Sequence, residues 1–398
     1  GVQTCALPIF ADFIPGDAYY TRILSKAVGA KGKVYAVVPM DRRGDFESQI
    51  AESKNRVQHG GEAIPSPLAP ALSVQNVTPY NNVVALLYQL GSYGGQFSVP
   101  EQLDAVFTAD QYHDLHNAPY DVADKIPALT KALFDSLKPG GIYVVVDYAA
   151  APGSGFSKTG PLRRADRDAV KAEITAAGFT LESESTIGTD GDDANVRVPT
   201  DGKATRFALR FRKPANASGE TKRPGPNAMD GYFGNTELSG RSSPNPRWVW
   251  YNPDYSYLEL GNPGAGAVNR GGDVQVGTWY WDAAGHNCMI HQYPAEERGF
   301  VVCHADTGQP NRKPGEVWTL PNSTRDFGIV AGITYPRFFK LDGRAVPNDP
   351  TVPTYISKAV YEALPLRVPG DAMHDLSRRP DVALAFSGVA PGQVVADF

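Results

Sequence analysis

The chain has 398 residues, 42% apolar, 20% charged and 10% aromatic, with a formal charge of −5. That composition excludes a wholly disordered chain, a collagen and a coiled coil, and a mildly acidic surface gives no electrostatic footing for nucleic acid or an anionic membrane. No apolar run reaches the length of a membrane helix, and three cysteines are too few for a disulfide scaffold.

In chain order, residues 1–9 (GVQTCALPI) lack the basic start and apolar stretch of a signal peptide. They resemble the translated read-through of a sequencing adapter and are expected to stand outside the fold. A helix begins at Asp17, which can cap it; Tyr20, Ile23, Leu24 and Ala27 recur at helical spacing, and Gly29 ends it. Lys33 to Val38 is a short strand, Arg42 to Gln58 a polar helix, and 60–82 a proline-rich loop. Val83 to Leu90 reads as strand or helix. Leu103 to Thr108 is a buried strand, and Asp124 to Leu137 an amphipathic helix stopped by Pro139-Gly140-Gly141. Ile142 to Asp147 is a further strand and Arg167 to Ala177 a helix. Two strands follow with no helix between them, Phe179–Ser185 and Thr205–Arg212, which predicts an antiparallel edge. Alternating strands and helices predict an α/β domain with a mostly parallel sheet over residues 10–214.

Residues 215–229 are a linker by composition. From 230 to 342 the chain is rich in Trp, Tyr and Gly with short strands, which predicts an all-β module, barrel or sandwich. Residues 343–353 are a second linker, and Ile356 to Leu364 is a short helix. Cys288 and Cys303 lie close enough to pair, which would contribute roughly 3 kcal/mol. Three free thiols in a reducing compartment are the alternative.

Four stretches together resemble class I S-adenosylmethionine-dependent methyltransferases, most of all a group of predicted methyltransferases that often carry export signals. They are ADFIPGDAYYTRILSKAVGAKGKVYAVVP, DAVFTADQYHDLH, ALTKALFDSLKPGGIYVVVDYAAAPGSG, and AEITAAGFTLESES followed by TRFALRFRKP. The chain ends in AFSGVAPGQVVADF, and its last three residues repeat Ala11-Asp12-Phe13. Overlaying the two copies gives one continuous strand, loop and helix. Residues 354–398 therefore read as the displaced front of the methyltransferase domain. Residues 393–398 are expected to enter the sheet as a parallel strand beside the strand near Asp147 or Asp104, in competition with Phe10–Phe13.

The resemblance implies a Rossmann-like sheet, S-adenosylmethionine as cofactor and a small-molecule methyl acceptor. It places Asp12, Pro15, Gly16, Tyr19, Asp41 and Asp110 on the cofactor. The loop after the first strand needs small residues where the cofactor approaches the backbone; here they are Gly16, Asp17 and Ala18. Asp17 puts a carboxylate where the cofactor's own would sit, unless it turns to cap the helix. Asp41 is the candidate for the ribose hydroxyls, with a solvated loop aspartate as the alternative.

Tyr112, His113, Asp114 and His116 follow a buried strand, at the edge where open α/β sheets bind ligands. Either histidine suits a general base, with Asp114 orienting it and the Tyr112 ring facing the cationic sulfonium. A metal held by His113, Asp114 and His116 would lack a fourth ligand. Arg164 and Asp166 match a stretch where the group has His-Arg-x-Asp, with Arg163 in place of the histidine; a surface ion pair is the other reading. Asp147 either faces the cleft or caps the loop after its strand.

The β-module faintly resembles secreted lipocalin-like domains. Trp248, Trp250, Trp279 and Trp281 either line a ligand cavity or form plain core. His286, His291 and His304 flank the cysteines at a spacing too wide for a zinc site. A non-catalytic ligand-binding protein with a degenerate methyltransferase domain is the rival function. Family habit and a Cys288–Cys303 disulfide would fit a periplasmic or secreted protein, with the cytoplasm as the alternative.

Overall fold

The computed structural model describes residues 7 to 390 apart from 41–51, 60–68, 90–96, 188–197, 200–203, 218–221, 262–273, 294–296, 305–307, 321–324, 365–378 and some shorter stretches. Asp41, Cys5, residues 393–398 and most of the helix expected over Arg42 to Gln58 lie outside the described residues.

The first sheet has seven strands: β1 (Ile9–Phe13), β2 (Lys33–Met40), β3 (Val83–Gln89), β4 (Leu103–Ala109), β5 (Leu137–Tyr148), β6 (Thr180–Ile187) and β7 (Arg206–Arg212). Their order is β3-β2-β1-β4-β5-β7-β6. The first five are parallel, and β7 runs antiparallel to β5 and β6. This is a Rossmann-like sheet whose order reverses between β1 and β4, closed at one edge by the expected antiparallel pair. Helices α1 (Tyr19–Ala27), α2 (Ile126–Ser136) and α3 (Arg167–Ala176) follow β1, β4 and β5.

Helix α1 corrects its sequence reading. Ile23 is exposed, whereas Thr21 and Ser25 are buried. The inward stripe is displaced by a residue because it carries hydrogen bonds rather than hydrocarbon. Thr21 Oγ1 donates to Asp12 of β1 at 2.6 Å, and Ser25 Oγ bonds to Asn82.

The second sheet is antiparallel, in the order β13-β12-β11-β10-β9-β8-β15-β14. Its strands are β8 (Thr236–Ser239), β9 (Arg247–Tyr251), β10 (Ser256–Gly261), β11 (Val274–Trp281), β12 (Asn287–Tyr293), β13 (Val301–His304), β14 (Val317–Thr319) and β15 (Asp326–Val330). Side chains alternate between two buried faces, as the strand period of two requires. Trp250, Leu258, Leu260, Val274 and Val276 pack under α4 (Thr354–Glu362) and Leu364, two residues beyond it. Val249, Tyr251, Tyr257, Trp279, Met289, Phe327 and Ile329 pack on the other side. The end strands β13 and β14 are not paired with each other, so the described residues form an open sheet rather than a closed lipocalin-like barrel. Trp248 and Trp250 lie on the opposite face from Trp279 and Trp281. Among the described residues the four tryptophans pack into opposite faces of the sheet and do not line one cavity.

The strand expected from Ile142 begins at Leu137 and takes in Pro139-Gly140-Gly141, which therefore lie in β5 rather than in a turn, and three domain boundaries differ from the sequence reading. Ile9, assigned to the tail, begins β1. Within the proposed first linker, Arg223 donates to the carbonyls of Pro100 and Val99 at 2.7 and 3.2 Å, and Met229 is buried in the β-module. The proposed second linker holds β17 (Arg344–Pro347), paired with β16 (Phe338–Leu341).

The slot between β2 and β4 is filled by β1, and both sides of β4 and β5 are already paired. The C-terminal helix α5 (Pro380–Ser387) packs on α4, and α4 on β10 and β11. The helix that the sequence reading assigns to a displaced front therefore sits on the β-module.

The two sheets share a core. Leu87 of the edge strand β3 donates its amide to Gly299 at 2.8 Å. The Tyr280 hydroxyl bonds to Ser98 at 2.9 Å and Tyr88 at 3.2 Å, and Tyr280, Cys288 and Val301 pack with Leu86 and Tyr88.

Candidate functional site

Ligands of open α/β sheets bind beyond the carboxyl ends of the strands, at the point where strand order reverses. Here that crevice is bordered by the loop after β1, residues 14–18, and the segment after β4, residues 110–116. Ile14, Gly16 and Ala18 have φ of 62°, 55° and 62°, and Asp110 across the crevice has 57°. The left-handed region costs a side-chain-bearing residue about 1–3 kcal/mol and is worst for a β-branched one. Of seven non-glycine residues with positive φ among those described, four (Ile14, Ala18, Asp110 and Arg163) stand around this one edge. Gly16 is exposed, and a Cβ built on it would lie 3.6 Å from Gln111 Nε2. The two loops therefore face each other across one side chain's width.

Asp12 lies behind this loop, 1% exposed and bonded to Thr21. Burial pushes its carboxyl up to about 7, against a smaller downward pull from the Thr21 hydroxyl. Pro15 is buried and Tyr19 exposed; Asp17 Oδ1 accepts the Tyr19 amide at 3.1 Å. Asp17 has therefore turned onto the start of α1, where the helix dipole favours an anion.

Asp110 pairs with Arg206, the first residue of β7, at 3.1 Å. Burial raises the Asp110 pKa, Arg206 pulls it down and Asp147 pushes it up, with a net rise. The Arg206 guanidinium lies 5.7 Å from the Tyr148 ring centre, and its buried Nε has no hydrogen-bond partner. Tyr20 stands by the same pair, packed on Phe107.

Residues Tyr112–His116 form one 3-10 turn, in which Tyr112 and His116 converge on one carboxylate while His113 meets another. The Tyr112 hydroxyl donates to Glu173 Oε2 on α3, and His116 Nε2 lies 3.1 Å from the same oxygen while its ring stacks on Phe156 at 3.5 Å. Tyr112 is 2% exposed. Its ring is thus anchored toward α3 rather than presented to the crevice.

His113 is fully buried and holds a different carboxylate. Its amide donates to Asp147 Oδ2 at 2.7 Å, and its Nδ1 lies 2.9 Å from Asp147 Oδ1 at the end of β5. Arg163 Nε donates to His113 Nε2 at 3.3 Å, and Arg163 also pairs with Asp114 at 3.1 Å. Nε2 therefore offers a lone pair, and the ring is the tautomer that donates Nδ1–H to Asp147. Burial disfavours a charged ring, but Asp147 and then Asp114 outweigh it and raise the His113 pKa; Arg163 opposes them. Asp114 thus orients Arg163, and Asp147 orients the imidazole.

Asp147, Arg163, Glu173 and Arg206 are the partners that sequence reading did not assign to the cluster. They lie 34 to 96 residues from it along the chain. The signals were a buried aspartate at a strand end and the arginine in place of the group's histidine. Arg164 is buried rather than on the surface, and it donates to the Ala149 carbonyl at 2.8 Å. Asp166 caps α3 through the Asp168 amide.

No family model matches this sequence, and no curated protein matches it. Solved structures similar to it include a SAM-dependent methyltransferase from Aquifex aeolicus, at 19% identity over 52% of this chain and 85% of that one, with a TM-score of 0.32. The N-methyltransferase NodS from Bradyrhizobium japonicum WM9, in complex with S-adenosyl-l-homocysteine, is 13% identical over 52% of this chain and 79% of its own, with a TM-score of 0.33. The arsenic (III) S-adenosylmethionine methyltransferase CrArsM from Chlamydomonas reinhardtii is 14% identical over 59% and 73%, with a TM-score of 0.34.

Proposed function

We propose that the α/β domain is a S-adenosylmethionine-dependent methyltransferase acting on a small molecule. The observation that carries this reading is the concentration of left-handed, strained backbone at the reversal point of the sheet, on both loops of the crevice. Strain of this kind persists where a site needs it.

The donor set fits such a cofactor in part. Pro15, Gly16 and Tyr19 on one loop, and Asp110 and Gln111 on the other, would hold it. Asp12 supports the first loop through Thr21 rather than by contact, and Asp41 is assigned by resemblance alone. The cofactor supplies a methyl group on a sulfonium, which needs no activation by the protein. The chain's own task is to align the acceptor and take its proton. His113 is assigned as the base, held in one tautomer by Asp147. Its Nε2 is covered by Arg163, whose side chain is 52% exposed and must swing aside to admit an acceptor. His116, Tyr112 and Glu173 hold the turn that carries His113.

One observation favours the rival reading, a ligand-binding protein without turnover. The Asp17 carboxylate already occupies the start of α1, where a cofactor carboxylate would be drawn. Calorimetric titration of the full chain with S-adenosylhomocysteine separates the two. Saturable binding that Gly16→Arg abolishes supports the methyltransferase. Absence of binding in both the native chain and Asp17→Gly refutes it.

A further inference from the structure

The turn between β11 and β12 brings together groups that the methyltransferase reading does not use. Cys288 and Cys303 face each other across β12 and β13 and are joined by a disulfide. The two sulfurs and a carboxylate oxygen of Asp282 all lie within 4.8 Å of one another. Asp282 is 7% exposed. Its Oδ1 accepts the amides of Ala284 and His286 at 2.9 and 2.8 Å, and its Oδ2 faces His286 Nδ1 at 3.1 Å. A carboxylate has about four lone-pair directions, so these contacts fix its orientation and leave one.

A structural disulfide gains nothing from a buried carboxylate at its side. Once the bond is reduced, that carboxylate repels thiolates, unless a cation sits among the three. We infer that, in the reduced chain, Cys288, Cys303 and Asp282 bind one thiophilic divalent cation, Zn2+ being the type. Two thiolates, one carboxylate and a water complete four-coordination. His286 holds the second carboxylate oxygen, as outer groups do around metal-bound carboxylates, and its half-exposed ring marks the way in. The Ser98 hydroxyl lies 3.6 Å from Cys288 Sγ, placed to donate to a thiolate. Arg223, within electrostatic reach of Asp282, offsets the remaining negative charge.

The chemistry balances. A dithiol reductant delivers two electrons and two protons to the S–S bond, leaving two thiols and its own disulfide. The cation then displaces both thiol protons to solvent. The disulfide and the metal site are thus alternative states of one hairpin, chosen by the redox poise of the compartment.

The test uses the full chain, reduced with dithiothreitol, desalted without oxygen and titrated with Co2+. The expected result is one Co2+ per reduced chain with thiolate-to-cobalt charge-transfer absorption, displaced by Zn2+, and no such absorption in the oxidised chain. Cys303→Ser abolishes the band, and Asp282→Asn weakens binding at least tenfold. His286→Ala weakens it about 10- to 100-fold, and Cys5→Ser leaves it unchanged. Asp282→Asn keeps both cysteines and is purified oxidised, so its tryptophan emission checks its fold before reduction. Absence of the band in the reduced chain, its survival in Cys303→Ser, its loss in Cys5→Ser, or undiminished affinity in Asp282→Asn overturns the inference.

Discussion

Replacing Asp12 by asparagine should stabilise the α/β domain, and only above mildly acidic pH. The carboxyl is 1% exposed, lies beneath α1, and has its pKa pushed from 3.8 to about 7 by burial. The folded state thus holds this proton more tightly than the unfolded chain does. The stability that Asp12 contributes is greatest below pH 4, falls as pH rises through the interval up to about 7, and is level beyond. Each tenfold change in proton affinity is worth about 1.4 kcal/mol. The interval spans about three such steps, so ionised Asp12 costs the native domain about 4 kcal/mol at pH 8. Asp12→Asn removes that cost and keeps an oxygen for the Thr21 hydroxyl. All five tryptophans lie in residues 248–318, so their emission is blind to this domain. Native-state amide exchange at Ala11 and Phe13 of β1 reads it directly. The variant should exchange about as fast as the native chain at pH 4, after correction for intrinsic rates, and on the order of 1,000-fold more slowly at pH 8. A native-minus-variant difference that is flat with pH, or that favours the native chain at pH 8, refutes the argument.

Two further predictions concern the cluster and the seam. Arg163→Ala removes the cation that opposes protonation of His113, leaving Asp147 and Asp114 beside the ring. The His113 pKa should rise further in an NMR titration of its imidazole, and a fall would mean that Arg163 does not cover Nε2. Tyr280→Phe deletes the hydroxyl shared by Ser98 and Tyr88 and leaves those buried groups short of a partner. It should destabilise the contact between the two sheets by about 1–3 kcal/mol, seen as earlier separation of the tyrosine and tryptophan unfolding transitions. Coincident transitions at the native midpoint would refute it.

Much of the chain was legible from sequence because its signals are local. Apolar runs located β4 and β5, and two strands without an intervening helix announced the β7–β6 edge. Aromatic alternation marked the β-module. The position of Tyr112–His116 just past a buried strand placed the cluster at the ligand-binding edge. What the tertiary structure decided is which groups meet. Thr21 and Ser25 turn inward because Asp12 and Asn82 wait there, a fact that periodicity of apolar residues cannot carry. The opposite facing of the tryptophan pairs depends on strand register, and the seat of the C-terminal helix on its packing against the helix that covers β10 and β11. The catalytic candidate His113 is defined by Asp147 and Arg163, 34 and 50 residues away. Helical and strand periods reach a few residues along the chain, whereas hydrogen bonds, ion pairs and disulfides form between neighbours that exist only once the chain has closed on itself.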